Sequence, residues 1–279
     1  MSVRVWFLLP VVVAATAGCS AANPRSLEKI ALDPGAAGRR IVLPFDTYDL
    51  SPAEIMTLES AEELLVRDCM RQRGRAWELL PRTAEADISP PHRRRYGIIE
   101  PLDAERFGYH MPPDGRTLAD RKAKRAVRRQ SLSSEDLRAA DRCLEKAGDR
   151  LARGAPKVDA GLFNRLIFKT FDTSQREADV VHAFRAWSTC MATAGFRYTD
   201  PLTAISDERW ATQRPSPREI HAAKADVRCK TETALVSTWA AAENRVQHAA
   251  IRAHAKEFQA LKASKDRQLE AASHAVARG

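Results

Sequence analysis

The sequence predicts an all-α fold: a disulfide-stapled helical bundle of two helix–loop–helix halves with a long C-terminal helix. Three observations predict it. Apolar residues recur at helical spacing through the long segments that lack proline. Beyond the N-terminal region there are four cysteines, Cys69, Cys143, Cys190 and Cys229, an even number that reads as disulfides if the chain is exported. The pattern C-M-x-x-x-G closes two separate helical stretches, at 69–74 and 190–195, which suggests a repeated unit. The 279 residues suffice for a sizeable core, and a net charge of +9 favours anionic surroundings.

Export is read from the first residues. Arg4 precedes an apolar run at 5–17, broken only by Pro10. The run is too short to span a bilayer and fits the apolar region of a signal peptide. It closes on Thr16-Ala17-Gly18-Cys19. This ending resembles a bacterial lipobox, with Thr16 where that pattern usually has Leu. The resemblance implies a signal peptide at 1–18 and a diacylglycerol on Cys19, with acyl chains of the palmitate kind. The mature protein would then be held by lipid at the extracytoplasmic face of the cell membrane. The alternative is an ordinary secretory signal with Cys19 a bystander.

Residues 19–40 are polar and small with scattered proline, a flexible tether. The first helical half is expected at 41–154. Ser51-Pro52-Ala53-Glu54 forms a capping box with proline at the first helical position. The helix it opens carries Ile55, Leu58, Leu65 and Cys69 on one stripe and stops at Gly74. Residues 75–129 hold six prolines, at 81, 90, 91, 101, 112 and 113, and read as an irregular loop without long helices. Between 93 and 129 there are eleven basic and five acidic residues, most of the net charge of the chain. A helix carrying Cys143 follows, from 136 to 153.

The second half is expected at 155–279. A short apolar helix covers 161–171, and the central helix, expected from Ser174 to Ala194, carries Val180, Phe184, Trp187 and Met191 on one face. Ser216-Pro217-Arg218-Glu219 repeats the earlier start. The 61 residues of 218–278 contain no Gly or Pro, about 90 Å as one helix. A heptad tendency suggests a bundle partner or coiled coil, a break near Thr231-Glu232-Thr233 is the alternative, and the stretch from Lys262 is expected to project or fray. Four cysteines allow three pairings; the repeat favours Cys69–Cys143 and Cys190–Cys229, one bridge per half.

With the lipobox in front, the layout resembles secreted and lipid-anchored helical proteins of actinomycete-type bacteria. The shared elements are Y-D-L at 48–50, C-M-x-x-x-G, R-R-R-Y-G at 93–97, F-G-Y at 107–109, the 187–198 stretch and A-D-V-R-C at 225–229. The resemblance implies location and fold and brings no site residue with it.

No catalytic, metal or cofactor site is expected. His182 lies eight residues before Cys190, about 12 Å along a helix, too far for a thiol–imidazole pair. The seven histidines show no H-E-x-x-H, and no C-x-x-C or nucleotide-binding glycine pattern occurs. Asp200, Asp207 and Glu208 near Trp210 read as a solvated loop. The candidate binding residues for a polyanion or a partner are Arg93, Arg94, Arg95, Arg121, Lys122, Lys124, Arg125, Arg128 and Arg129. Export argues against nucleic acid. The expected function is a non-enzymatic envelope accessory or interaction protein, attached to the membrane through Cys19 and contacting an envelope membrane protein. The alternative is a binding module for wall glycan or another anionic polymer.

Overall fold

The computed structural model describes residues 36–279. The leader at 1–18, Cys19 and most of the 19–40 tether lie outside the described residues. The regular elements of the described residues are helices, with no strand among them: α1 (Ala36–Arg39), α2 (Pro52–Arg71), α3 (Pro101–Phe107), α4 (Arg116–Ser131), α5 (Ser134–Leu151), α6 (Ala160–Ser174), α7 (Ala178–Thr193), α8 (Pro201–Ile205), α9 (Pro217–Glu232), α10 (Leu235–Ala253) and α11 (Ala255–Arg278). No helix among them is long and apolar enough to cross a membrane.

Both S-P-x-E stretches form capping boxes. Glu54 N donates to Ser51 Oγ at 3.3 Å, and Ser51 N donates back to Glu54 Oε2 at 2.7 Å. Glu219 N donates to Ser216 Oγ at 3.1 Å in the same way. These side chains satisfy amides that a helix start leaves orphaned. The C-M-x-x-x-G repeat is a helix stop. Gly74 and Gly195 take positive φ, +69° and +88°. The next amide then turns back, Arg75 N to Met70 O at 3.0 Å and Phe196 N to Met191 O at 2.9 Å, the long-range bond of a Schellman motif. The methionines are fully buried, and each cysteine, one position earlier, reaches a neighbouring helix.

Those reaches are the two disulfides. Cys69–Cys143 joins α2 to α5, and Cys190–Cys229 joins α7 to α9, with Cα separations of 5.7 and 5.6 Å. One helical group is α2, α5 and α11; the other packs α6, α7 and α9 around α10, with α3 on α9. The larger core holds Trp187, Trp239, Tyr96 and Met191 at zero exposure.

Three expectations are corrected, and one alternative is borne out. Residues 75–129 do contain a long helix, α4. Every proline of that region precedes Gly115, and the following run is rich in Ala, Arg and Lys, strong helix formers. The central helix begins at Ala178, not Ser174. Ser174 ends α6, its hydroxyl donating to Phe171 O and accepting from Trp239 Nε1 at 2.8 Å. For the C-terminal run the alternative holds: it is not one helix, and the first break follows Thr231-Glu232-Thr233 directly. It breaks at Ala234, in left-handed backbone with φ 50°, and again at His254. Beside the first break, Thr231 and Thr233 hydroxyls bond the carbonyls of Val227 and Cys229, a local competition that weakens helical continuity. Finally, the end of the chain does not project. α11 packs along α2 and α5, burying Ala272 and Ala275 beside Ala61 and Leu151.

α11 also ties the groups together. Phe258 at its start packs with Phe45, Phe163 and Leu166. Residues from the first expected half, Tyr96, Ile98, Ala104 and Tyr109, lie in the larger core with α7, α9 and α10. The described residues therefore form one compact unit.

Candidate functional site

The nine basic candidates fall into an inward and an outward set. Arg93, Arg94 and Arg95 sit on a turn that lies against α3, α9 and α10. Arg93 makes a two-pronged pair with Asp103, at 3.0 and 2.8 Å, and both side chains are buried. Arg95 pairs with Glu243 of α10, which also accepts from Tyr96 OH at 2.9 Å and Gln247 Nε2 at 2.9 Å. Arg94 donates to His110 O at 2.9 Å, while its Nε and Nη1 are buried without a hydrogen bond. Burial pushes the Arg94 pKa down. All three arginines are thus turned onto acceptors of the fold, Asp103, the His110 carbonyl and Glu243.

The same turn is pinned at two further points. Lys230 Nζ, buried on α9, donates to Ile98 O at 2.8 Å and to Asp226 Oδ2 at 3.0 Å, and Asp226 accepts from Trp187 Nε1 at 2.9 Å. Burial raises the Asp226 pKa and lowers that of Lys230. Glu219 accepts from Tyr109 N at 2.8 Å and His110 Nδ1 at 2.7 Å. Both ring nitrogens of His110 face acceptors, since Nε2 lies 2.7 Å from Thr212 O. The Thr212 carbonyl and the Glu219 carboxylate together hold the imidazole pKa above its usual value. R-R-R-Y-G and F-G-Y are thus the two ends of a strap over α9 and α10.

α4 is held differently. It carries seven basic residues and one acidic one. Its inner face meets the acidic side of α2. Arg121 donates to Glu59 at 3.1 Å and Pro81 O at 2.8 Å. Arg128 makes a two-pronged pair with Glu63 at 2.8 Å and lies 4.0 Å from the Trp77 ring. Arg121 is the only buried side chain of the helix. α4 is therefore fastened by charge pairs and a cation–π contact, with little apolar area beneath it. Lys122, Lys124, Arg125 and Arg129 remain on the outside. Lys122 and Lys124 pair with Asp114 and Asp120 through half-exposed contacts, and Arg125 reaches Glu59 at 3.4 Å. Exposed pairs of this kind are weak, about 0–1 kcal/mol, and exchange readily for another anion. Arg129 has no ion-pair partner among the described residues.

A second feature was not read from the sequence. An open groove of about 850 Å³ lies between residues 37–42, the α9–α10 break and α10. Its residues come from segments far apart in the chain, so only folding reveals it.

The weaker candidates are accounted for structurally. Cys190 is in a disulfide, so His182 has no thiol to activate. Asp200 caps α8 through the amides of Leu202 and Thr203. Asp207 holds Tyr198 OH and Arg209, and the guanidinium keeps its pKa well below the usual range. Trp210 is buried with its indole on Ala204 O. Glu232 lies within 4.8 Å of the Cys190 and Cys229 sulfurs, but sulfurs joined to each other are not thiolate ligands.

No family model, curated protein or solved structure matches this chain.

Proposed function

We propose that the protein is a non-enzymatic envelope lipoprotein. It is anchored through Cys19 at the extracytoplasmic membrane face and acts there as an interaction protein. Its docking surface is the outer face of α4, and its partner there is an anionic wall polymer. The observation that carries this reading is the division of labour on α4. Inner arginines fasten the helix to Glu59 and Glu63, while Lys122, Lys124, Arg125 and Arg129 face solvent in weak or absent pairs. Such a face attracts polyanions by charge, and the attraction falls with salt.

Two experiments test the reading. Cys19→Ser should release the protein from membranes or stall its processing; unchanged attachment overturns the anchor. Purified protein should be retained on isolated cell wall at low salt and released as salt rises. Absence of retention at low salt overturns the docking reading.

A further inference from the structure

We infer that the groove beside α10 binds a single-chain anionic amphiphile taken from the membrane, with the acyl chain on its floor and the charged head at its basic rim. The volume, about 850 Å³, is within the range of about 300–1,000 Å³ usual for ligand sites. Ile41, Val42, Ile99, Val227, Val236 and Ala240 supply an apolar floor. Val42 is 72 % exposed, so apolar surface is left uncovered there, which an acyl chain would remove from water.

The lining is also one-sided in charge. Its ionisable side chains are Arg40, Lys230 and Arg245, and no carboxylate lines it. Lys230 is committed to Asp226 and Ile98, so head recognition falls to the rim. Arg245 uses Nη2 on Asp179 and Glu177, which leaves its Nε and Nη1 hydrogens to donate. The neighbouring Asn244 amide makes no hydrogen bond among the described residues and faces the same groove. An anionic head meeting a guanidinium and an amide beside an apolar trough matches this set.

Delivery rests on the anchoring proposed above; binding does not. Ala37 lines the groove and is 18 residues from Cys19, a span of at most about 60 Å when fully extended. An anchored protein would hold the groove within reach of membrane lipid.

The test uses the full chain with Cys19→Ser, so that no acyl group of its own competes. The probe is pyrene-labelled hexadecanoic acid, followed by fluorescence, with its methyl ester as the neutral-headed control. The expected result is saturable one-to-one binding, with the ester about tenfold weaker. Ala241→Trp, which fills the groove from α10, should weaken binding by about tenfold or more, and Arg245→Gln should erase the preference for the acid over the ester. A circular-dichroism melt checks that Ala241→Trp folds; Ser237→Trp replaces it if it does not. Absence of saturable binding overturns the inference, as does equal binding by the groove-filled variant. If sedimentation instead shows a dimer that the Trp substitution disrupts, without probe binding, the groove pairs two copies and the amphiphile is excluded. Wall retention through α4 is measured separately, so either idea can fail alone.

Discussion

Removing Glu243 should cost far more than its position on an ordinary helix suggests. The carboxylate has zero exposure and accepts from Arg95, Tyr96 OH and Gln247 Nε2. Gln247 in turn accepts from Phe45 N at 2.9 Å. Glu243→Leu leaves the Arg95 guanidinium, 18 % exposed, and the buried Tyr96 hydroxyl without their acceptor. Breaking a buried pair from one side costs about 3–5 kcal/mol, mostly from the stranded charge. Replacing both partners, Arg95→Met with Glu243→Leu, should recover most of that loss, since neither charge is then buried. Urea unfolding followed by tryptophan fluorescence, with disulfides intact, measures both. Trp239 reports locally, its ring 5.0 Å from Tyr96. A single substitution costing under about 1 kcal/mol would refute the view that residues 92–110 are pinned by buried charge. So would a double variant as unstable as the single ones combined.

Three other outcomes follow from the same geometry. Peptide mapping without reduction should link Cys69 to Cys143 and Cys190 to Cys229; opening each by Cys→Ala pairs should destabilise by about 4.5 and 4 kcal/mol in the chain-entropy picture, for separations of 74 and 39 residues. Glu62 is half-buried, and the loss of water around it, with Glu59 and Glu63 nearby and Arg125 opposing them weakly, raises its pKa from 4.5 to about 7. Its folded-state pKa is above the unfolded value, so the folded state holds the proton more tightly. Stability should then fall as pH rises from about 4.5 to about 7, by about 3 kcal/mol, and Glu62→Gln should flatten this slope in pH-dependent melts. Gly108→Ala should lower the melting temperature or abolish folding, because its Cβ would lie 2.6 Å from Glu219 Oε1 at a φ of +55°.

The sequence carried the scaffold well because scaffold signals are local. Capping boxes, glycine stops and cysteine placement each act within a few residues, and C-M-x-x-x-G joins two of them in one pattern. α4 was concealed because helix 116–131 has almost no apolar stripe; it is held by arginines meeting glutamates about sixty positions away. A run of good helix formers after the last proline was the signal that could have found it. The basic cluster was legible as charge but not as two populations. Arg93 and Arg95 look like surface charge until their partners, Asp103 and Glu243, are brought to them by α3 and α10. The break at Ala234 has no Gly or Pro to announce it, only the two threonines of Thr231-Glu232-Thr233 that made a break one of two readings, and the groove beside it exists only once α9, α10 and residues 37–42 meet.

The most direct test of the docking account separates the outward cations from the inward ones. In a single variant, Lys122, Lys124, Arg125 and Arg129 are changed to Gln, and both retention on isolated cell wall and urea stability are measured. The account predicts that retention at low salt is lost while stability changes by no more than about 1 kcal/mol, because Arg121 and Arg128 still fasten α4 to Glu59 and Glu63. Undiminished, salt-sensitive retention would contradict it and place the docking surface elsewhere on the molecule.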